Sequence, residues 1–448
     1  MFSQRTWRIV FTTGIVLVCG FLIVTNAGAS SFVGLTKSQE PTAQTLAPGE
    51  SVAPPADGPT VVSSHDDGEL LIVGKNGTVT YHNTTYDGYW DVDPVDNDSE
   101  ELVYTATERF DDDSCSPTGS HCIKQRIERL NRTTGKTTVL YSHVQPRYEA
   151  SEWHDTDRIN DTHYLVADMY ADSVFMVNVE TDLVVWEWSA QASYPIDEGG
   201  KYPDDWVHLN DVERLNDGRI MVSLRNQDQV VFIDPSSGRQ SNWTLGGEDD
   251  HDVLYEQHNP DFISSERGGP AVVVADSEQN RLVEYQRTDS SGWTQSWIWT
   301  DSTLQWPRDA DRLPNGNTLV TDTRGGRVLE VTPNGSIGWE FAVQGGYEAE
   351  RLSTGDESTG GPSAKSAGLT SRTDTTVPES AGPVVRVRTT IEQLLPNKVV
   401  NGIANFGPGW LRFDDLLVGL VGGLLLACWL AAEWHWSSLS FQSPIRRD

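Results

Sequence analysis

Short runs of β-branched and aromatic residues alternate with polar turns through the middle of the chain. One unit carries such runs at residues 220–222 and 229–233, followed by a turn at 235–238, and no helical period lies between them. Runs of this length between Gly, Asn, Asp and Pro are typical of β-strands. A tryptophan-bearing run, such as residues 297–299, adds a fourth strand to the unit. The pattern predicts small four-stranded sheets.

These units repeat along the chain with a period of 48 to 64 residues. Five similar segments begin the repeats, at residues 90–95, 154–159, 210–215, 258–263 and 308–313, and residues 69–82 supply a partial unit. Repeated small sheets that bury both faces against their neighbours are the signature of a β-propeller. We predict an all-β, six-bladed β-propeller over residues 59–345, with five blades as the alternative, closing near Phe341.

An apolar segment precedes the predicted propeller. Arg5 and Arg8 lie before an apolar run at 9–24, and a small-residue sequence follows at 27–29. This order is typical of an export signal, and the run is also close to the length of a membrane span. Residues 1–29 are therefore predicted to be a signal or transmembrane segment.

A second apolar run predicts a transmembrane helix at residues 414–434, and Arg446 and Arg447 follow it. The positive-inside rule then places both chain ends in the cytoplasm and the propeller on the extracytoplasmic side of the cell membrane. Ser, Thr, Pro and Gly are frequent at residues 30–58 and 346–413, which we predict to be linkers, the second including a juxtamembrane part.

The charge balance is strongly acidic. The chain has 65 acidic and 33 basic residues and a net charge of −32. Such a surface repels itself in dilute buffer and is tolerated where salt shortens the Debye length to about 3 Å at 1 M, so the composition favours a halophilic protein. Nucleic acid is not expected as a partner, because phosphate binding needs a basic patch.

Two cysteines lie in one polar loop. Cys115 and Cys122 are seven residues apart, and in an oxidising compartment this spacing predicts a disulfide that closes a small loop. The alternative is a metal-binding pair together with the nearby His121.

Candidate chemistry lies in one column of the repeat. The first strand of each propeller blade lines the central channel, so the residues that begin the repeats converge on one funnel. That column contains His154, Asn210, His258 and Arg308, and His208 lies two residues before Asn210 on the same side of its strand. Two interpretations remain: these polar groups satisfy one another, or they form an active site.

An acidic residue follows the column residue in most units, as at Asp91, Asp155, Asp211 and Asp309. Because it recurs in nearly every blade, we expect it to cap turns or to tie blades together.

The funnel motifs resemble those of the arylsulfate sulfotransferases. The similar segments are Trp206-x-His208-x-Asn210, Ser223-x-Arg225-x-Gln227, Trp153-His154-Asp155 and Gln257-His258. The resemblance covers roughly residues 150–340, and its most specific part is the His/Arg pairing within one blade. The sequence departs from the family where Asp211 follows Asn210.

The resemblance implies transfer of a sulfuryl group from an aryl sulfate to a phenol. It makes His258 the nucleophile, which forms a sulfohistidine intermediate. The residues implied to neutralise the sulfuryl oxygens are Arg225, His208 and His154. We assign substrate binding to Asn210 and Arg308 in the same funnel.

No cofactor is expected, because the chain has no Gly-rich phosphate loop for a nucleotide sulfate donor. Two other functions stay open. One is a metal-dependent hydrolase with a cation at the funnel. The positive charges of Arg225 and Arg308 beside that cation argue against it. The other is a non-catalytic scaffold or receptor propeller.

Overall fold

The computed structural model describes residues 11–13, 46–96, 100–116, 119–146, 151–288, 292–373, 395–406 and 413–436 of the 448-residue chain. The chain divides into two compact units. One comprises residues 41–376, and the other comprises residues 1–40 and 377–448.

Six antiparallel sheets form the first unit, and the inner strand of each contacts the inner strand of the next. This is a six-bladed β-propeller, so the six-blade prediction is confirmed and the five-blade alternative is wrong. Blade 1 begins with β1 (Thr60–Ser64), β2 (Glu69–Val73) and β3 (Val79–Asn83). Blade 2 contains β4 (Gly88–Pro94), β5 (Glu101–Ser116), β6 (Gly119–Asn131) and β7 (Lys136–Pro146).

Blade 3 contains β8 (Trp153–Asp155), β9 (His163–Asp168), β10 (Ser173–Asn178) and β11 (Leu183–Ser189). Blade 4 contains β12 (Leu209–Arg214), β13 (Ile220–Leu224), β14 (Gln229–Asp234), β15 (Gly238–Arg239) and β16 (Leu245–Gly246). Blade 5 contains β17 (His258–Ile263), β18 (Ala271–Asp276), β19 (Arg281–Thr288) and β20 (Gly292–Trp299). Blade 6 contains β21 (Pro307–Arg312), β22 (Thr318–Asp322), β23 (Arg327–Val331) and β24 (Ile337–Ala342).

The ring closes with a strand from the C-terminal side. β25 (Gly346–Arg351) pairs with β1 and is the inner strand of blade 1. The closure therefore lies past Phe341 and past the predicted propeller end at 345. Ladder hydrogen bonds between β25 and β1 therefore join the two ends of the ring.

The chain segments just before β1 and just after β25 also pack on the propeller. Residues 46–58, expected to be a linker, run beside blade 1, where Gly49 N donates to Val79 O at 2.8 Å. After β25 the chain forms the short helix α1 (Ala364–Ala367). It then runs beside blade 5, where Arg372 N donates to Ile298 O at 2.9 Å. The predicted linker at 346–413 thus contributes to the propeller as far as residue 373.

Apolar side chains fill the space between neighbouring blades. Leu165 and Val174 of blade 3, for example, lie in one fully buried cluster with Val212 and Val222 of blade 4. Burying an aliphatic side chain of this size stabilises the fold by about 1.5–3 kcal/mol. Middle strands such as β13 and β18 are buried on both faces in this way, which explains their continuous apolar runs.

Cys122 is buried in β6, whereas the side chain of Cys115 lies outside the described part of the chain. The disulfide between them stays a prediction.

The second unit contains α2 (Asn397–Phe406) and α3 (Phe413–Trp436). α3 occupies the second predicted membrane span, although several of its side chains lie outside the described part. Within the described ranges, no helix is long and apolar enough to cross a membrane, so the predicted terminal spans are not supported. The first predicted segment, 1–29, lies outside the described residues except for 11–13.

Candidate functional site

A β-bulge presents the column residue of most inner strands to the central channel. The ladder between the inner strand and the strand beside it shifts register at or next to the column residue in all six blades. His154, Asn210 and Arg308 each fall in the shift and have no partner residue in the ladder. A bulge re-aims its side chain, so these residues are free to meet at the channel entrance, here called the funnel.

His258 has one ring nitrogen fixed and the other open. Its Nδ1 lies 2.8 Å from Ser277 Oγ, and Ser277 Oγ lies 2.7 Å from the carbonyl oxygen of Pro307. The carbonyl can only accept, so the single serine proton goes to Pro307, and His258 Nδ1–H donates to Ser277. The other nitrogen, Nε2, is fully buried and has no hydrogen-bond partner among the described residues. It therefore holds a free lone pair.

His208 and Arg225 form a linked pair in blade 4. His208 Nδ1 lies 2.6 Å from Asp205 Oδ1, so this nitrogen carries the proton, and His208 Nε2 lies 3.1 Å from Arg225 Nη1. Arg225 Nη2 lies 3.7 Å from both Asp205 Oδ2 and Glu256 Oε2. Both ring nitrogens of His208 are thus engaged, and the imidazole orients the guanidinium.

The backbone at His208 is strained. It has a φ of 52°, in the left-handed region that a non-glycine residue occupies at a cost of order 1–3 kcal/mol. The hydrogen bonds from Arg225 N to His208 O (3.2 Å) and from Asn226 N to Val207 O (3.1 Å) hold this conformation. The strained turn places imidazole and guanidinium in contact.

Aromatic rings surround His154. Its imidazole stacks on Trp90 with ring centroids 4.1 Å apart, and the ring of His208 meets it edge-on at 5.2 Å. The hydroxyl of Tyr347 lies 3.1 Å from His154 Nδ1 and 3.3 Å from the carbonyl oxygen of Asn210. Tyr347 thus connects the inner strands of blades 1, 3 and 4.

Arg308 is the second guanidinium of the funnel. Its Nη1 lies 2.9 Å from His65 Nε2, which in turn lies 2.9 Å from Asp66 Oδ1. Its guanidinium also faces the rings of Trp306 and Tyr347, at 5.5 and 5.1 Å. Arg308 Nε is buried and donates to no group that the structure describes.

Asn210 joins blades 4 and 5 beside His258. Its Nδ2 donates to the carbonyl oxygen of Gln257 at 2.8 Å, and its Oδ1 is buried without a partner in the described part of the chain. Three buried polar atoms of the funnel, on His258, Asn210 and Arg308, thus lack a hydrogen-bond partner within the described residues.

Burial and the two guanidiniums keep the imidazoles neutral. Burial lowers the pKa of His65 to about 4 and the pKa of His258 well below 6.5. The positive charge of Arg308 is the second cause for both residues. The pKa of His154 is also well below 6.5, because of burial and then the nearby His208. Burial lowers the pKa of Arg308 to about 10, so it stays charged at pH 7. The positive charge of the funnel comes from arginine.

Two funnel residues, His65 and Tyr347, were not predicted from the sequence. Tyr347 had a signal: residues 347–352 repeat the pattern of residues 210–215, with acids at the second and fourth positions followed by Arg and Leu. His65 follows β1 in the loop to β2, outside the repeated column, and carries no such signal.

The acid after the column residue ties neighbouring blades together. The backbone N–H of Thr156 donates to Asp91 at 3.1 Å, and that of Ala349 donates to Asp309 at 2.9 Å. Asp155 accepts from the next blade in the same way. Asp211 is the exception: the residue opposite is Pro260, which has no N–H, and Asp211 Oδ2 lacks a partner within the described residues.

The funnel geometry does not favour a metal centre. A metal ion would need imidazole nitrogens as ligands. Arg225 already lies 3.1 Å from His208 Nε2, and Arg308 lies 2.9 Å from His65 Nε2, so both nitrogens face a positive charge. Four groups of metal-ligating side chains occur in the described part of the chain. They are Asp228/Asp249/His251, Asp91/Asp93/Glu348, Asp93/Glu350/Asp356 and Asp261/Asp309/Asp311, and none includes a funnel histidine.

Fold and site together define a six-bladed β-propeller with a cationic, histidine-rich funnel. Residues 56–345 match the model of the arylsulfotransferase (ASST) family, and the chain belongs to this family. The family resemblance drawn from the sequence is confirmed. No curated protein sequence matches the chain.

Solved structures with a similar chain trace are distant in sequence. A protein of unknown function from Bacteroides caccae is 12% identical, with 67% of this chain and 98% of that chain aligned and a TM-score of 0.44. Virginiamycin B lyase from Staphylococcus aureus is 13% identical, with 68% and 86% aligned and a TM-score of 0.41. A chain of the nidogen/laminin complex is 11% identical, with 66% and 100% aligned and a TM-score of 0.45. Similarity at this level says nothing about activity.

Proposed function

We propose that the protein transfers a sulfuryl group from an aryl sulfate to a phenolic acceptor through a sulfohistidine at His258. The Nε2 lone pair attacks sulfur, the bond between sulfur and the aryl oxygen breaks, and a phenolate leaves. The acceptor phenol then attacks the same sulfur and the N–S bond breaks, which regenerates the neutral imidazole. Overall, one proton passes from the acceptor to the released phenol.

The observation that supports this mechanism best is the state of His258. A histidine nucleophile needs an unprotonated nitrogen that is not already hydrogen bonded. His258 Nε2 is such an atom, because Ser277 fixes the proton on Nδ1 and burial with Arg308 lowers the pKa of the imidazole. A neutral imidazole is therefore available well below pH 6.5.

The charges around His258 suit a sulfate ester. After burial, the positive charges of Arg308 and Arg225 are the main causes that lower the pKa of His258. Fixed cations in a water-poor site stabilise the charge that shifts between sulfuryl oxygens and the leaving phenolate. His208 acts by orienting Arg225. The hydrogen-bonded pair of His154 and Tyr347 is our candidate relay for the transferred proton.

The test is mass spectrometry of the protein after brief exposure to p-nitrophenyl sulfate in molar salt, with p-nitrophenol release followed by absorbance. We expect a burst of p-nitrophenol and a mass increase of about 80 Da at His258 before an acceptor is added. Addition of a phenol should remove the adduct.

Two variants complete the experiment. His258→Ala should give neither burst nor adduct, whereas His163→Ala, at the start of β9 and outside the funnel, should give both. A folded native protein that releases no phenol and gains no mass would favour the scaffold function instead. Activity that is lost with chelator and restored by a metal would favour the hydrolase.

We further propose that the propeller works on the extracytoplasmic side of the cell membrane. The signal-like N-terminal segment supports this location. Protease treatment of intact cells tests it: the propeller should be cleaved, while a cytoplasmic marker stays intact.

A further inference from the structure

Beyond the funnel, the inner strands carry two successive rings of carboxyl groups. The second positions of the six strands are Asp91, Asp155, Asp211, Asn259, Asp309 and Glu348. The fourth positions are Asp93, Asp157, Glu213, Asp261, Asp311 and Glu350. Only Asn259 is not an acid. This acidic channel begins one residue past the His/Arg column and takes no part in the proposed transfer of a sulfuryl group.

The chain returns to the acidic channel after β25 and adds two more carboxyl groups, Asp356 and Glu357. Glu357 N donates to Glu350 Oε1 at 3.0 Å. Ser358 Oγ donates to Asp261, and Arg312 N donates to Ser358 Oγ at 2.6 Å. This segment is therefore anchored to the inner strands of blades 1, 5 and 6.

Few cations oppose these carboxyl groups. Arg158 acts on Asp356 and Arg214 acts on Asp157. Arg312 is already paired with Glu284 of blade 5, at 3.1 Å. Buried carboxylates without opposing cations are costly, so protons or a bound cation must balance the excess negative charge.

Three groups of channel oxygens have the spacing of a cation site, and in one of them every member also has an unpartnered oxygen among the described residues. Asp93, Glu350 and Asp356 each place one carboxylate oxygen within 4.8 Å of the others. Asp93 Oδ1, Glu350 Oε2 and Asp356 Oδ1 are buried and lack a hydrogen-bond partner within the described ranges. Asp93 and Glu350 are only 5% and 1% exposed, so bulk water does not solvate them. Native proteins rarely leave such oxygens unsatisfied.

We propose that Asp93, Glu350 and Asp356 bind a divalent cation of the calcium class inside the channel. Such an ion takes six to eight oxygen ligands at about 2.4 Å, so oxygens on opposite sides of it lie about 4.8 Å apart. Asp91 and Glu348 lie beside Asp93 in a second group with the same spacing and extend the ligand set. Through Asp93, Glu350 and Asp356, the ion would join blade 2, the ring-closing strand β25 of blade 1 and the segment that follows β25.

The experiment uses the full chain, stripped with EGTA and kept in 1 M choline chloride at pH 8. Choline screens the acidic surface but is too large to enter the site. We expect equilibrium dialysis to give one tightly bound Ca²⁺ per chain. We also expect saturating Ca²⁺ to raise the midpoint of thermal unfolding by about 5 °C.

Asp93→Asn and Glu350→Gln remove one charge each with little change in shape. Both should lose the tightly bound Ca²⁺ and the calcium-dependent rise in the unfolding midpoint. Without calcium they should unfold at a higher temperature than the stripped native protein, because each removes repulsion. Asp217→Asn, at an exposed turn of blade 4, makes the same charge change and should bind Ca²⁺ normally.

The proposal is overturned if the native chain binds no Ca²⁺ and its unfolding midpoint does not move, since the channel acids are then balanced by protons. It is also overturned if both channel variants bind as the native chain does. Release of p-nitrophenol is not used as a readout, so failure here leaves the proposed function of the funnel untouched.

Discussion

A serine hydroxyl decides which nitrogen of His258 is free. Ser277 Oγ, fully buried, accepts from His258 Nδ1 and donates to the Pro307 carbonyl, which belongs to the next blade. The chain of hydrogen bonds therefore sets the tautomer of the imidazole through contacts of two blades. In the proposed mechanism it aims the lone pair without touching the sulfuryl group.

Ser277→Ala should slow the first turnover by about tenfold. The change leaves His258 Nδ1–H buried without an acceptor, which costs about 1–2 kcal/mol and releases the other tautomer. The measurement is the rate of the p-nitrophenol burst, with Ser236→Ala, in an exposed turn after β14, as the matched control. A burst as fast as that of the native protein would show that Ser277 does not position the imidazole.

At the scale of the element, the decisive strand is β25. It supplies Tyr347 to the funnel and Glu348 and Glu350 to the acidic channel, and it pairs with β1 along its length. Arg351 is fully buried and forms an ion pair with Glu330 of blade 6 at 2.9 Å. One strand thus joins the ends of the ring and completes two rings of polar residues.

A fragment of residues 46–345 should therefore fail to form a closed ring, whereas a fragment of residues 46–373 should fold. Without β25, β1 has an unpaired inner edge. The apolar side chains between blades 6 and 1 are then partly exposed to water. We expect the longer fragment to unfold in one cooperative thermal transition and the shorter one to show none. Equal unfolding midpoints for the two would mean that β25 is dispensable for closure.

The inner strands of five blades were predictable because each begins a repeat that is contiguous with its own blade. β25 escaped the prediction because its partner strand β1 lies at the other end of the propeller sequence, where Thr60 is the ladder partner of Arg351. Its own residues nonetheless follow the pattern of the other inner strands, from Tyr347 to Leu352. The strand was overlooked because the propeller was expected to close near Phe341, before β25 begins.

For the whole molecule, charge is the dominant property. The chain has a net charge of −32 and few lysines, and part of its negative charge belongs to carboxyl groups inside the ring. Self-repulsion between surface charges opposes the compact state and weakens as salt shortens the Debye length. The proposed halophilic character follows from this balance.

The midpoint of thermal unfolding should rise by about 5–10 °C when KCl increases from 0.1 to 2 M. The comparison should be repeated in sucrose of equal osmolality, which does not screen charge and should give a smaller rise. A midpoint that is flat or falls with KCl would remove the argument for adaptation to salt.

The sequence by itself determined the fold class, the family and most of the column that forms the funnel. It did so because strand length, turn residues and the repeat are local properties, and each inner strand carries its column residue at a fixed place. Only the tertiary structure decided the blade that closes the ring, the tautomer of His258 and the contact of Arg308 with His65. These depend on contacts between residues far apart in the chain, and no local pattern specifies which atoms such contacts leave free.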